Sequence, residues 1–218
     1  GVSEKNTLVG SYSGTAITTG DRNTLLGYNS GYQFVTGVDN TVVGSEAFQA
    51  ADGAESRNTI IGKDAGYGIS DDSAADNVAI GDNALVGGSA AISKNIAIGK
   101  GSMSCGSTAS QDSVFIGYTS GAGSWAGACT KNTAVGYGSM GTGAKNDGNT
   151  TIGAYAGDEI TNGARNTCVG YSSGHNMNAN YNTLVGAFAG DTLTSGEENT
   201  IIGYDCDTAS DDNNNNVI

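Results

Sequence analysis

Hydrophobic and polar positions follow one short alternation that returns along the whole chain. It reads Asn-Thr-Leu-Val-Gly at 6–10, Asn-Thr-Leu-Leu-Gly at 23–27 and Asn-Thr-Leu-Val-Gly again at 182–186. Numbering each unit from its Asn, place one falls at Asn6, Asn23, Asn40, Asn58, Asn77, Asn95, Ser113, Asn132, Asn149, Asn166, Asn182 and Asn199, with spacings of 16 to 19. Place five is Gly in every unit: Gly10, Gly27, Gly44, Gly62, Gly81, Gly99, Gly117, Gly136, Gly153, Gly170, Gly186 and Gly203. Three β-prone residues followed by Gly predict a short strand ending in a tight corner. The period is too short for helical-hairpin repeats of about 34 residues and suits one coil of a β-solenoid. The expected fold is all-β, a β-solenoid or β-roll of about 12 coils forming a single repeat domain over 1–218, with a partial unit starting at Asn215.

Strand alternation puts places two and four on one face and place three on the other. Place four is Val, Ile or Leu throughout, which predicts that it lines the inside of the coil. Place three is also apolar, with Thr151 as the polar exception, and runs through Leu8, Leu25, Val42, Ile60, Phe115, Leu184 and Ile201. A strand apolar on both faces needs cover on both. Place three is therefore expected to form an outward stripe buried by self-association.

Other places have assignable roles. Asn at place one is expected to stack into a ladder that satisfies corner backbone groups. Place eight, almost always Ala or Ser, reads as an inward corner. Place two is Thr in nine units and Val78, Ile96 or Val114 in the rest, so it is expected to be at least half buried. Places nine and twelve trade volume: Gly31 goes with Phe34 and Gly66 with Ile69, whereas Phe48 goes with Ala51 and Leu85 with Gly88. One interior slot filled from either position explains the trade. The unit with Gly121 lacks a filler at place twelve, and Trp125 is the expected substitute.

Composition narrows the function classes. The chain has 218 residues, 36 Gly, no Pro and a net charge of −13, which argues against nucleic acid or an anionic membrane surface as partner. No apolar run reaches the roughly 18 residues of a membrane span. The motif Gly-Tyr-Ser-Ser-Gly at 170–174 matches a nucleophile elbow, but it is one variant of the repeat and the sole His175 lies beside it, so no enzyme is expected. No cofactor is expected; the acidic loops at 70–76 and 210–216 carry the oxygen ligands that Ca²⁺ favours and are read as charged loop tips. Cys105 and Cys129, in loops of adjacent units, are a candidate disulfide, whereas Cys168 and Cys206 are expected to be small buried residues. Tyr28, Tyr118, Tyr137, Tyr171 and Tyr204, all at place six, form a candidate ligand-contact edge. Such rings more often cover a neighbouring corner Gly and leave the hydroxyl wet.

The segments Asn-Val-Ala-Ile-Gly at 77–81 and Asn-Ile-Ala-Ile-Gly at 95–99 resemble the head repeats of trimeric autotransporter adhesins of the YadA type, a left-handed β-roll in which three chains each wind a roll and pack round a shared axis. The recurrent Asn-Thr-x-x-Gly-x-x-Ala-Gly wording is similar to repeats of phage tail fibres. The resemblance implies a parallel homotrimer with the place-three stripe at its axis. It also implies an extracellular structural or adhesive fibre segment on a cell surface or virion, contacting itself and an unidentified surface receptor or glycan. The alternative is a carbohydrate- or ice-binding solenoid presenting its Thr column. The ends, with no polar cap, predict a slice of a longer fibre or end-to-end docking.

Overall fold

The computed structural model describes residues 3–88, 90–104, 109–123, 127–141, 146–208 and 214–218. It is an all-β parallel solenoid, and no helix occurs among the described residues. Two compact units, Gly1–Asp112 and Ser113–Ile218, are built from the same repeat.

In the first unit the place-two-to-four strands are β1 (Thr7–Val9), β2 (Thr24–Leu26), β3 (Thr41–Val43), β4 (Thr59–Ile61), β5 (Val78–Ile80) and β7 (Ile96–Ile98), with short strands β6 (Ile92–Ser93) and β8 (Ser110–Gln111) at a second corner. In the second unit they are β9 (Val114–Ile116), β11 (Thr133–Val135), β13 (Thr150–Ile152), β14 (Thr167–Val169), β15 (Thr183–Val185) and β16 (Thr200–Ile202), with β10 (Cys129–Thr130) and β12 (Asn146–Asp147) at the second corner. Every pairing is parallel and place-matched, so Leu25 lies beside Val42 and Leu184 beside Ile201.

The Asn ladder is present. Within each unit an Asn accepts on Oδ1 from the backbone N–H of the next, as in Asn23 to Asn40 at 3.0 Å and Asn166 to Asn182 at 2.9 Å, while the Nδ2 groups of Asn40 and Asn182 reach a carbonyl across the coil. Ser113 keeps the rung through Oγ, which accepts from Asn132 N–H at 3.1 Å. The ladder also corrects the last register. Asn216, and not Asn215, bonds Asn199 Oδ1 at 3.0 Å, and Val217 pairs with Thr200, so Ile218 stands at place three. The 17-residue step keeps the usual coil length, whereas a start at 215 shortens it.

Place-five Gly is required twice over. At Gly44 φ is +143°, and a Cβ there would sit 2.2 Å from the carbonyl oxygen of Gly62. Place eight is the inward corner, with Ser30, Ala47, Ala65, Ser139 and Ala189 fully buried.

The interior corrects the two strand faces. Place three points inward: Leu25, Val42, Ile60, Phe115, Leu184 and Ile201 are fully buried within a single chain, and only Leu8, in the first strand, is exposed. These residues are coil core and cannot form a trimer axis. Place four points outward, with Leu26 43% and Ile152 42% exposed. The physical reason is shared volume. A Cβ on Gly31 would stand 3.0 Å from Leu25 and one on Gly66 would stand 3.3 Å from Ile60, so places three and nine fill one interior space. Phe34, Phe48, Ile69, Leu85, Met103, Met140, Ile160 and Met177 occupy the slot from place nine or twelve, all buried. In the unit with Gly121 the filler is Phe115 itself, whose ring lies 2.2 Å from where a Cβ on Gly121 would stand. Trp125 lies outside the described residues.

In the first unit a further column runs at the residue before place one. Arg22, Asp39, Arg57, Asp76, Lys94 and Asp112 all adopt left-handed φ between 56° and 62°. Arg22 pairs with Asp39 and Arg57 with Asp76, each at 2.6 Å and each in two-toothed geometry.

Candidate binding surfaces

Two surfaces arise directly from the repeat. The first is the outward sheet face of each unit, where place two and place four alternate with the buried place three. Its rows read Thr24 and Leu26, Thr41 and Val43, Thr59 and Ile61, then Val78 and Ile80, Ile96 and Ile98 in the first unit. In the second they begin with Val114 and Ile116 and continue through Thr133 and Val135 to Thr200 and Ile202. Place two is exposed to half-buried, and so are the β-branched or Leu side chains of place four. Parallel in-register pairing makes each face a flat grid of hydroxyl and aliphatic columns with one row per coil.

The second is the aromatic edge. Tyr28, Tyr118, Tyr137 and Tyr171 stand about half exposed and Tyr204 more so, which is wetter than rings laid flat over a corner Gly. The expected place-six rings are joined by Tyr12, Tyr155 and Phe188 at place seven, which the column reading missed because it followed one place only. In the second unit they make a continuous row: Tyr118 stacks on Tyr137 at 5.4 Å, and Tyr137, Tyr155, Tyr171, Phe188 and Tyr204 follow edge to face at 5.1 to 6.2 Å. In the first unit Tyr12, Tyr28, Tyr32 and Asn29 enclose a cleft of about 270 Å³. A larger polar groove of about 550 Å³ is lined by Glu159, Thr161, Asn176, Asn178, Thr192 and Thr194, with Thr161 N–H donating to Asn178 Oδ1 at 2.9 Å.

The candidate ion and redox residues sit as follows. In the 70–76 loop, Asp71 accepts from Ser73 N–H and Oγ, and Asp76 is committed to Arg57. Asp72 comes within 4.8 Å of Asp52 and Glu55, a pairing across coils that linear reading does not reveal. Glu55 is fully buried with both oxygens accepting backbone N–H groups of Asp52 and Gly53 at 3.0 Å. Burial pushes its carboxyl upward, and those donors oppose the shift. Burial likewise raises Asp191, and the neighbouring Asp207 raises it further. Positions 210–213 of the other acidic run lie outside the described residues.

Cys105 also lies outside them. Cys129 is a buried free thiol whose Sγ accepts from Asn132 Nδ2 at 3.4 Å. Cys168 is buried among Ile160, Met177 and Leu184, which pushes its thiol up to about 12, and Cys206 packs against the same cluster. Ser172 sits at place seven with φ of 51°, in a coil corner and not in a strand-to-helix turn. His175 Nε2 lies 4.0 Å from Glu159 Oε1. No helix is long and apolar enough to cross a membrane among the described residues. No protein-family model, curated protein or solved structure matches the chain.

Proposed function

We propose that this chain is a non-catalytic structural and adhesive segment of an extracellular trimeric fibre, on a cell surface or a virion, whose coils associate through the outward place-two and place-four face. The observation that carries the reading is that face: it leaves an exposed or half-buried aliphatic side chain at place four of every coil, in a chain that otherwise carries a net charge of −13. Exposed apolar surface on this scale favours burial against a partner. The occupant is a further copy of the same chain, because a ridge repeating once per coil is complemented along its length only by a surface of equal repeat. In the first unit, the rows of Val78 and Ile96, where place two loses its hydroxyl, mark the driest part of that contact. The resemblance to adhesin head repeats supports the same assembly.

Adjacent residues separate this proposal from a packing effect. Val169→Asp with Val185→Asp is expected to leave strand content intact while converting a trimer to a monomer by light scattering. Leu184→Asp, one residue away, is expected to unfold the coil by burying an unpaired charge. A wild-type chain that stays monomeric at high concentration would overturn the assembly.

A second reading has its own support. The outward Thr columns share their face with exposed and not buried aliphatic residues, which is an array able to order surface water. Thermal hysteresis by the monomeric protein, lost on changing Thr24 and Thr41 to Lys, would favour ice binding over the fibre.

A further inference from the structure

The cleft formed by Tyr12, Tyr28 and Tyr32 has no role in the coil interior, which Leu25, Phe34 and Phe48 already fill. Tyr12 meets Tyr28 with ring centroids 6.2 Å apart and planes at 79°, and meets Tyr32 at 6.4 Å, again at 79°. Two near-perpendicular pairs sharing one ring give three aromatic walls, with Asn29 as the remaining lining residue. The walls are held from behind. Tyr12 and Asn29 occupy fixed left-handed corners, and Asn29 N–H donates to Ser11 O at 3.0 Å. The rings themselves are 39 to 58% exposed and so reach a ligand without unfolding anything.

The chemistry of such a cleft selects among ligands. Ring faces carry negative quadrupole density, and rings set at right angles surround a compact cation from several sides. A sugar needs instead an open platform and several convergent hydrogen-bonding groups, and among the described residues Asn29 is the only non-aromatic side chain that lines the cleft. Among the described residues no Lys or Arg lines the cleft, and the backbone N–H of Glu46 donates to the Tyr28 carbonyl at 2.8 Å, which brings an acidic residue to the next coil of the same corner. A small ammonium is strongly hydrated, whereas a quaternary one is large, apolar at its surface and still charged. We infer that Tyr12, Tyr28 and Tyr32 form an aromatic cage for a quaternary ammonium group of the choline type. The cage stands at places six, seven and ten, apart from the place-two and place-four face, and it goes beyond the assembly without depending on it.

Titration calorimetry of the full chain at low salt with choline chloride, phosphocholine and the uncharged isostere 3,3-dimethylbutan-1-ol tests the inference. Saturable one-site binding of choline or phosphocholine is expected, the two telling a free base from a phosphorylated head group, with the isostere failing to saturate. Tyr12→Ala and Tyr28→Ala should each weaken it roughly tenfold or more. Tyr12→Phe should retain it, and Tyr137→Ala, in the other aromatic row, should leave it unchanged, with circular dichroism confirming the coil in each. The Val169→Asp/Val185→Asp chain should bind choline as the wild type does, which separates this site from the assembly. Equal binding of the isostere, wild-type affinity in Tyr28→Ala, or binding of a methyl pyranoside while choline fails would overturn the cage.

Discussion

Asn58 donates twice to the same atom of the coil before it: its backbone N–H and its Nδ2 reach Asn40 Oδ1 at 2.9 and 3.0 Å. The Nδ2 also reaches Ala74 O at 3.0 Å, and Asn58 Oδ1 accepts from Asn77 in turn. One buried carboxamide thus satisfies groups on three coils. Asn58→Ala should leave the Asn77 N–H without a partner and take one of two donors from the Ala74 carbonyl, which keeps the Ser56 N–H at 3.1 Å, costing about 1–3 kcal/mol in chemical denaturation. Asn58→Ser should cost less, because Ser113 holds the equivalent rung through its hydroxyl.

Gly44→Ala combines a backbone at φ +143° with a Cβ 2.2 Å from Gly62 O. Neither is relieved by a side-chain rotation, and separating the coils breaks the adjoining parallel ladder. A loss of about 3 kcal/mol or more is expected in the same assay. A melting temperature unchanged from wild type would contradict the corner geometry.

The shared interior slot predicts rescue. Phe48→Gly should cost about 3–5 kcal/mol by emptying a fully buried site. Adding Ala51→Phe should restore much of it, since the preceding coil fills the slot by the same route with Gly31 and Phe34. A double-mutant cycle with a large favourable coupling is the expected result; simple additivity would show that the two positions do not share a space.

The two limbs of the pH–stability profile are governed by different carboxylates. Hydrogen bonding and charge from Arg22 and Arg57 hold Asp39 and Asp76 below their ordinary 3.8, so their contribution is present above that value and lost as pH falls through the depressed range. Glu55 is raised above 4.5 by burial, so its contribution is full below 4.5 and lost as pH rises through the raised range. Thermal melts across pH should therefore show a shallower acid limb in Asp39→Asn/Asp76→Asn. Glu55→Gln should flatten the slope on the other side of the maximum.

The period, the Asn ladder, the corner Gly and the exchange between places nine and twelve were all legible from residues, because each depends on one residue type at one spacing. Which strand face lies inside was not. Places three and four are both apolar, and alternation says only that they oppose each other. The deciding signal was present in volumes: place three shrinks to Ala79, Ala97 and Ala134 where Leu85, Met103 and Met140 sit at place nine, and swells to Phe115 opposite Gly121. A position that compensates an interior slot belongs to that interior. The Tyr12 cleft escaped linear reading because it draws its rings from three different places of two coils.

The charges that alternate from Arg22 to Asp112, one residue before place one, bear on how these coils find their own pairing. Coils this alike offer many nearly equivalent neighbours, and skipping one would keep every Asn rung, every corner Gly and every aliphatic column in place. It would not keep the signs. Looping out the coil of Asp39 would set Arg22 against Arg57, and looping out the coil of Arg57 would set Asp39 against Asp76, each turning one salt bridge into a repulsion. Because the alternation repeats every two coils while the rest of the motif repeats every one, these exposed pairs act less as mortar than as a parity check on winding.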